Sequence, residues 1–207
     1  MYPRHSVWGT TIFYVQSNYY EKPLQTKKEN YSMILCDLDG LGANFHEGVE
    51  RHIPWVEFKA MSDDEQHTFL IEMFKKEPDF FNTLPKIEQF IELITFLESS
   101  GERWMICTSA GEAHPSYMKA KTSKLAWLER CFGIEAEKVI VTPNSEAKLQ
   151  YANPNTILID DWKVNCERFE EEGGFSVHVE ANTYDVKDVI ARVSTAIEQM
   201  HLLEVNI

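Results

Sequence analysis

Two hydrophobic periods alternate along most of this chain. Short, nearly continuous apolar runs occur at Met33-Ile34-Leu35-Cys36, Arg103-Trp104-Met105-Ile106-Cys107, Val139-Ile140-Val141-Thr142 and Thr156-Ile157-Leu158-Ile159. Runs this short, bounded by turn residues, read as strands buried in a parallel sheet. Phe175-Ser176-Val177-His178-Val179 reads as a final strand. Between the runs, apolar residues repeat at helical spacing. Ile87, Phe90, Ile91, Ile94 and Leu97 predict a helix opened by Pro85, with Gly101 past its end. Leu125, Leu128, Cys131 and Phe132 predict another, stopped by Gly133. Residues 162–172 precede Gly173-Gly174, and Asp185 can cap a last helix with an inner stripe from Val186 to Met200. The alternation predicts an α/β fold: a doubly wound parallel sheet with right-handed crossovers.

Two stretches break this rhythm. Residues 42–84 contain no parallel-strand signal. Glu47–Arg51 and Trp55–Phe58 suggest short helices, and Asp63 or Asp64 can open a longer one through Met73-Phe74. This stretch reads as a helical insertion after the first strand. Residues 1–31 hold the strand-forming run Thr10–Val15 and the tyrosines Tyr19, Tyr20 and Tyr31. They predict an added edge strand or packed arm, or an arm that contacts a second subunit in a homo-oligomer. The expected organisation is an arm over 1–31, a core built from 32–41 and 85–207, and an insertion over 42–84.

Chemistry collects where the apolar runs end. The first run leads into Asp37-Leu38-Asp39-Gly40, the second into Thr108-Ser109, and the last of the four into Asp160-Asp161. The third leads to a loop carrying Lys148. In open α/β sheets the active crevice lies outside the carboxyl ends of the strands. One Asp-x-Asp-Gly is often only a solvated turn; the ordered combination is far more specific. It resembles the haloacid-dehalogenase (HAD) superfamily of aspartate-nucleophile phosphatases, from about Ser32 to the C-terminus. Asp37 to Phe45, Ile106-Cys107-Thr108-Ser109, Ala126-Trp127-Leu128-Glu129 with Phe132-Gly133, and Leu158-Ile159-Asp160-Asp161 resemble its 5'(3')-deoxyribonucleotidase group. The resemblance implies a HAD-like core, with residues 42–84 as a small cap over the strand ends.

These residue types fit phosphoryl transfer. A carboxylate at a strand end can attack phosphorus and form an acyl phosphate. Asp37 is the expected nucleophile, and Asp39 the group that protonates the leaving alkoxide and then takes a proton from water. Phosphate and carboxylates repel, so a cation is required. Mg²⁺ prefers oxygen ligands. Asp37, the backbone carbonyl of Asp39, and Asp160 or Asp161 can supply them, with the remaining aspartate holding Lys148 or a water. Thr108, with backbone N–H groups around Ser109 and Ala110, can bind the non-bridging phosphate oxygens. Lys148 adds charge to the same oxygens, with Lys121 or Lys124 as substitutes. Phe45 and Phe81 can form an aromatic slot for a nucleobase, or pack the insertion on the core.

One position departs from the group. Four places after the second-motif threonine the group has a lysine; here Glu112 stands there. That bears on the substrate rather than on the reaction. His114, two residues on, reads as a loop histidine or as a replacement phosphate contact, and Trp127 as a core contact.

Composition narrows the partners. A net charge of −13 over 207 residues repels nucleic-acid backbones and anionic membranes. A small phosphorylated substrate, such as a (deoxy)nucleoside monophosphate, is expected, with a sugar phosphate or a polynucleotide 3'-phosphate end as alternatives. No apolar run approaches transmembrane length, and residues 1–31 lack a signal-peptide core. Cys36, Cys107, Cys131 and Cys166 are not spaced as a metal site. Reduced thiols of this kind predict a cytoplasmic setting. A catalytically silent binding module on the same fold is the non-enzymatic alternative, and would be expected to have lost Asp37 or Asp39.

Overall fold

The computed structural model describes residues 32–204. The proposed arm of residues 1–31, and with it the oligomer expectation, lies outside the described residues. Five strands, β1 (Met33–Cys36), β2 (Arg103–Ser109), β3 (Val139–Thr142), β4 (Thr156–Asp160) and β5 (Phe175–His178), form one sheet in the order β3-β2-β1-β4-β5. Every pairing is parallel. Strand β1 is central. Met33 is level with Arg103 on one side and Thr156 on the other, and Cys36 with Ile106 and Ile159. The chain builds outward through β2 and β3, then returns to add β4 and β5. The reversal beside β1 is the topological switch point where open α/β sheets place ligands.

The helices are α1 (Phe45–Glu50), α2 (Trp55–Ala60), α3 (Asp63–Lys76), α4 (Phe90–Ser99), α5 (Tyr117–Phe132), α6 (Lys163–Glu171) and α7 (Val186–Glu204). Successive strand residues point to opposite faces, and the core divides accordingly. Ile34, Cys36, Ile106, Ile157 and Ile159 join a large cluster with Leu93 and Leu97 of α4, Trp127 and Leu128 of α5, and Val189 and Val193 of α7. Leu35, Cys107 and Leu158 face the other way, onto Phe169 of α6 and Leu149 of the short 3-10 helix Glu146–Tyr151. The sheet is wound on both faces, but unequally.

Local sequence explains most boundaries. Ser62 and Glu65 make a reciprocal capping box at the start of α3. Ser116 caps α5, and Gly133 ends it at φ 66°. Asp185 accepts from the Lys187 N–H at the start of α7. The helix expected from Pro85 begins five residues later, at Phe90. The intervening backbone is engaged elsewhere. The Asn44 N–H donates to the Pro85 carbonyl and the Ile87 N–H to the Gly42 carbonyl. Ala43 forms an antiparallel bridge with Lys86. Ile87 is buried as its spacing suggested, but from this clasp rather than from a helix.

Residues 42–84 are helical. Their buried residues Val49, Phe58, Met73, Phe74, Phe80 and Phe81 belong to the same cluster as the larger face of the sheet. Trp127 reaches across from α5, and its indole N–H donates to the Leu84 carbonyl at 2.7 Å. No helix among the described residues is long and apolar enough to cross a membrane.

Candidate active site

The β1 register carries Asp37 into the middle of the carboxyl edge, where its N–H donates to the Ile159 carbonyl at 2.8 Å. Thr108 and Asp160 lie at the ends of the two flanking strands. After Leu38 the backbone folds back on itself. Gly42 and Ala43 N–H groups both donate to the Leu38 carbonyl, and Gly40 turns at φ 77°. A Cβ on Gly40 would lie 2.1 Å from Asp161 Oδ2. Glycine is required there both for the left-handed backbone and for the approach of that carboxylate.

Two buried lysines divide the charge of this edge. Lys148 comes from the 3-10 helix Glu146–Tyr151, and its Nζ stands 2.7 Å from Asp160 Oδ2 and 3.0 Å from Asp37 Oδ1. The first contact is a hydrogen bond. The second is an ion pair without hydrogen-bond geometry, so Asp37 Oδ1 has no hydrogen-bond partner. Burial alone would discharge Lys148, but Asp37 and Asp160 more than offset it and hold its pKa above the ordinary lysine value. Lys124 comes from α5 and is 1% exposed. Its Nζ donates to Asp39 Oδ2 at 2.5 Å and to Thr108 Oγ1 at 2.9 Å, and lies 4.3 Å from the Phe81 ring centroid.

Asp37, Asp160 and Asp161 bring one carboxylate oxygen each within 4.8 Å of one another. Hard oxygen donors of this kind fit a magnesium-like divalent cation. The surroundings separate the two late aspartates. Asp160 is saturated: Oδ1 accepts from the Trp162 N–H at 2.9 Å and from Asn165 Nδ2 at 3.1 Å, and Oδ2 accepts from Lys148. The Asp161 side chain accepts no hydrogen bond among the described residues. Burial, then the charges of Asp37, Asp160 and Asp39, push its carboxyl up to about 8. A carboxylate that cannot easily hold its charge alone is the one a cation would relieve. If all four of Asp37, Asp39, Asp160 and Asp161 were ionised they would exceed the two ammonium groups by two charges, which one divalent cation would neutralise.

The remaining predicted residues are distributed as follows. Thr108 is fully buried, and its hydroxyl accepts from Lys124. Ser109 ends β2, half-buried. The Ala110 N–H is committed to the Thr142 carbonyl at 2.8 Å, which corrects the expectation that it faces phosphate. Phe81 is 4% exposed and packs on Phe74, Phe80 and His114 beneath Lys124. Of the two roles open to Phe81, this packing is that of a contact between residues 42–84 and the core. Phe45 is half-buried and edge-on to Phe80 at 5.6 Å. His114 is also buried, with Nδ1 accepting from the Ser116 N–H. Its packing is that of a loop-anchoring histidine. Glu112 accepts from Asn144 Nδ2 at 2.7 Å, on the rim.

Sequence reasoning did not single out Asn165, which makes two of the bonds on Asp160. Its position in the first turn of the helix after a strand-end aspartate is the available signal. Lys124 stood only as a substitute for Lys148; the structure gives both lysines separate partners. Cys36 and Cys107 are buried and free. Burial raises both thiols, Cys107 to about 12, so neither is a nucleophile at neutral pH.

Comparison with known proteins places this geometry in a structural class. No family model matches the sequence, and no curated protein does. Solved structures do. A HAD family hydrolase from Deinococcus radiodurans R1, solved with bound phosphate and sodium, aligns at TM-score 0.50 and 13% identity over 84% of this chain and 97% of that one. A phosphonoacetaldehyde hydrolase-like protein from Oleispira antarctica aligns at 0.46 and 13%, over 86% and 85%. A hydrolase from Pseudomonas syringae aligns at 0.45 and 13%, over 78% and 89%. The chain has the fold of HAD family hydrolases.

Proposed function

We propose that this protein is a Mg²⁺-dependent phosphomonoesterase working through an aspartyl phosphate on Asp37. The observation that carries the reading is the pair of open carboxylate oxygens. Asp37 Oδ1 and Asp39 Oδ1 are both buried without a hydrogen-bond partner, the first with the Lys148 ammonium 3.0 Å away. Buried oxygens without a hydrogen bond are costly, and a nucleophile and a proton donor are roles that would use them. The bound phosphate of the Deinococcus neighbour is consistent with this.

Asp37, Asp161 and the Asp39 carbonyl would hold the cation, which when bound neutralises phosphate charge and orients it. An Asp37 oxygen forms the new bond to phosphorus while the bond to the leaving oxygen breaks. Asp39 gives that oxygen its proton. Asp39 then removes a proton from the water that attacks phosphorus, the Asp37–phosphorus bond breaks, and phosphate leaves. Thr108 donates to a non-bridging oxygen. Lys148 holds Asp37 in place through their ion pair. The substrate class is a (deoxy)nucleoside monophosphate, favoured by the first-motif resemblance and by Phe45. Glu112 in place of a lysine leaves room for another small phosphate ester. The acidic chain disfavours a polynucleotide end, and four free thiols suit a reducing cytoplasm.

The test is hydrolysis of an aryl phosphate with and without Mg²⁺, followed by a screen of mononucleotides and sugar phosphates. Asp37→Asn should abolish turnover. Asp39→Asn should slow alkyl phosphates on the order of 10²–10⁴-fold and accumulate phosphoenzyme from an aryl phosphate. An adduct mapped to Ser, Thr, His or Cys, or full activity in chelator, would overturn the reading.

A further inference from the structure

Lys124 is not needed to complete a nucleophile, a metal site or an acid–base group, yet it touches two of the working residues at once. A lysine buried to 1% exposure requires compensation. It has it in Asp39 Oδ2, Thr108 Oγ1 and the Phe81 ring. Each contact has a directional consequence. A hydroxyl has one hydrogen to donate and two lone pairs. Because Thr108 Oγ1 accepts from Lys124, its own hydrogen is left for another acceptor. A carboxylate held through Oδ2 presents Oδ1, and Asp39 Oδ1 is the buried oxygen without a partner. Lys148 cannot substitute, because Asp160 and Asp37 already share its ammonium.

We propose that Lys124 is a positioning residue that sets Thr108 as a donor to phosphate and turns Asp39 so that Oδ1 meets the leaving-group oxygen. It acts through those two side chains, from the helix α5 rather than from a strand end. The backbone supports such a role. Lys124 lies on the buried stripe Ala120, Ser123, Lys124, Trp127 and Leu128 of α5, and Trp127 of that stripe is tied to the Leu84 carbonyl. Phe81 covers the ammonium and excludes water from it. The position of the ammonium is therefore set by packing on two sides. This inference rests on the phosphatase reading, and deepens it.

The experiment uses Lys124→Met and Lys124→Gln in the full chain with Mg²⁺. Two quantities are read: inhibition by inorganic phosphate, and rates over a series of phosphate esters from aryl to alkyl. Lys124→Met should bind phosphate roughly 10- to 100-fold more weakly, the scale of a charged hydrogen bond. Its rate should fall more steeply than wild type as the leaving group becomes more basic, because Asp39 is no longer aimed. Lys124→Gln keeps two N–H donors and should recover part of both effects. In a Thr108→Val background, Lys124→Met should add little further loss of phosphate affinity, since the two act in series. A merely structural lysine would alter folded fraction and not the leaving-group dependence.

Wild-type dependence on the leaving group retained in both variants, or fully additive losses with Thr108→Val, would overturn the proposal. Should the variants fail to fold, the wild-type crystal structure with orthovanadate decides. Lys124 still on Thr108 and Asp39, with Thr108 Oγ1 about 3 Å or less from an equatorial oxygen, supports it. Lys124 detached from both overturns it. Failure of the phosphatase reading looks different: the wild-type chain itself would neither bind phosphate nor hydrolyse any ester.

Discussion

Asp161→Asn separates proton loading from cation binding at one carboxyl. The substitution is nearly isosteric, so the close approach to Gly40 is retained. Burial and the charges of Asp37, Asp160 and Asp39 push the Asp161 carboxyl up to about 8, from an ordinary value of 3.8. The folded state therefore keeps a proton that the unfolded chain releases across this window. Stability must then fall as pH rises from about 4 to about 8, with a limiting slope of about 1.4 kcal/mol per pH unit. Solvent access and neighbouring titrations reduce this, so from pH 5 to pH 7 the wild-type chain should lose about 1–3 kcal/mol relative to the variant. With a urea slope of about 2 kcal/mol/M, the midpoint difference is about 0.5–1.5 M. Urea unfolding at pH 5, 6 and 7 in chelator measures it. The two proteins should be similarly stable at pH 5, with the variant more stable at pH 7. Saturating Mg²⁺ should reverse the order. At one hundred times the dissociation constant, wild type gains about 2.7 kcal/mol, and the variant, short of a ligand, much less. Parallel pH profiles in chelator would refute the proton loading. Equal stabilisation of both proteins by Mg²⁺ would refute Asp161 as a ligand.

Three further outcomes follow from local geometry. Gly40→Ala should cost about 1–3 kcal/mol in unfolding, from the positive φ and the collision with Asp161, and should also weaken Mg²⁺ binding by titration; an unaltered stability would show that the turn can relax. Asn165→Ala removes two hydrogen bonds from buried Asp160 and should lower stability by about 1–3 kcal/mol and slow aryl phosphate hydrolysis. A normal rate would mean that Lys148 and the Trp162 N–H hold Asp160 unaided. Alkylation of the native chain, followed by peptide mass measurement, should mark Cys131 before the buried Cys36, Cys107 and Cys166. Early labelling of Cys107 would contradict its burial in β2.

The fold was legible because its signals are local. The central strands β1, β2 and β4 are short apolar runs that can be buried on both faces, and each leads into a residue a crevice can use. Gly133, Ser62 and Asp185 mark helix ends through backbone geometry they impose themselves. Asp37, Asp39, Thr108, Lys148, Asp160 and Asp161 could therefore be assigned to one edge of the sheet from the sequence alone. Where the pattern misled, the cause was long-range. Pro85 is a plausible helix start, but its carbonyl and the Ile87 N–H are taken by residues 42–44, and the helix waits until Phe90. Phe81 has the composition of a stacking platform, and becomes a packing residue only because Phe74, Phe80 and Lys124 surround it.

The same division runs through the site. That two adjacent aspartates end β4 is a property of the chain; that the Asp160 side chain is saturated by Trp162, Asn165 and Lys148 is not. Those donors come from a helix start and a distant 3-10 turn, and only folding brings them within reach. Lys121 and Lys124 are indistinguishable as letters three residues apart. The rotation of α5 buries Lys124 against Asp39 and Thr108, while Lys121 is half-buried elsewhere on the helix. Periodicity fixes which residues are apolar enough to form the elements, but the partner of a buried charge depends on how those elements are rotated and docked, which is decided by packing.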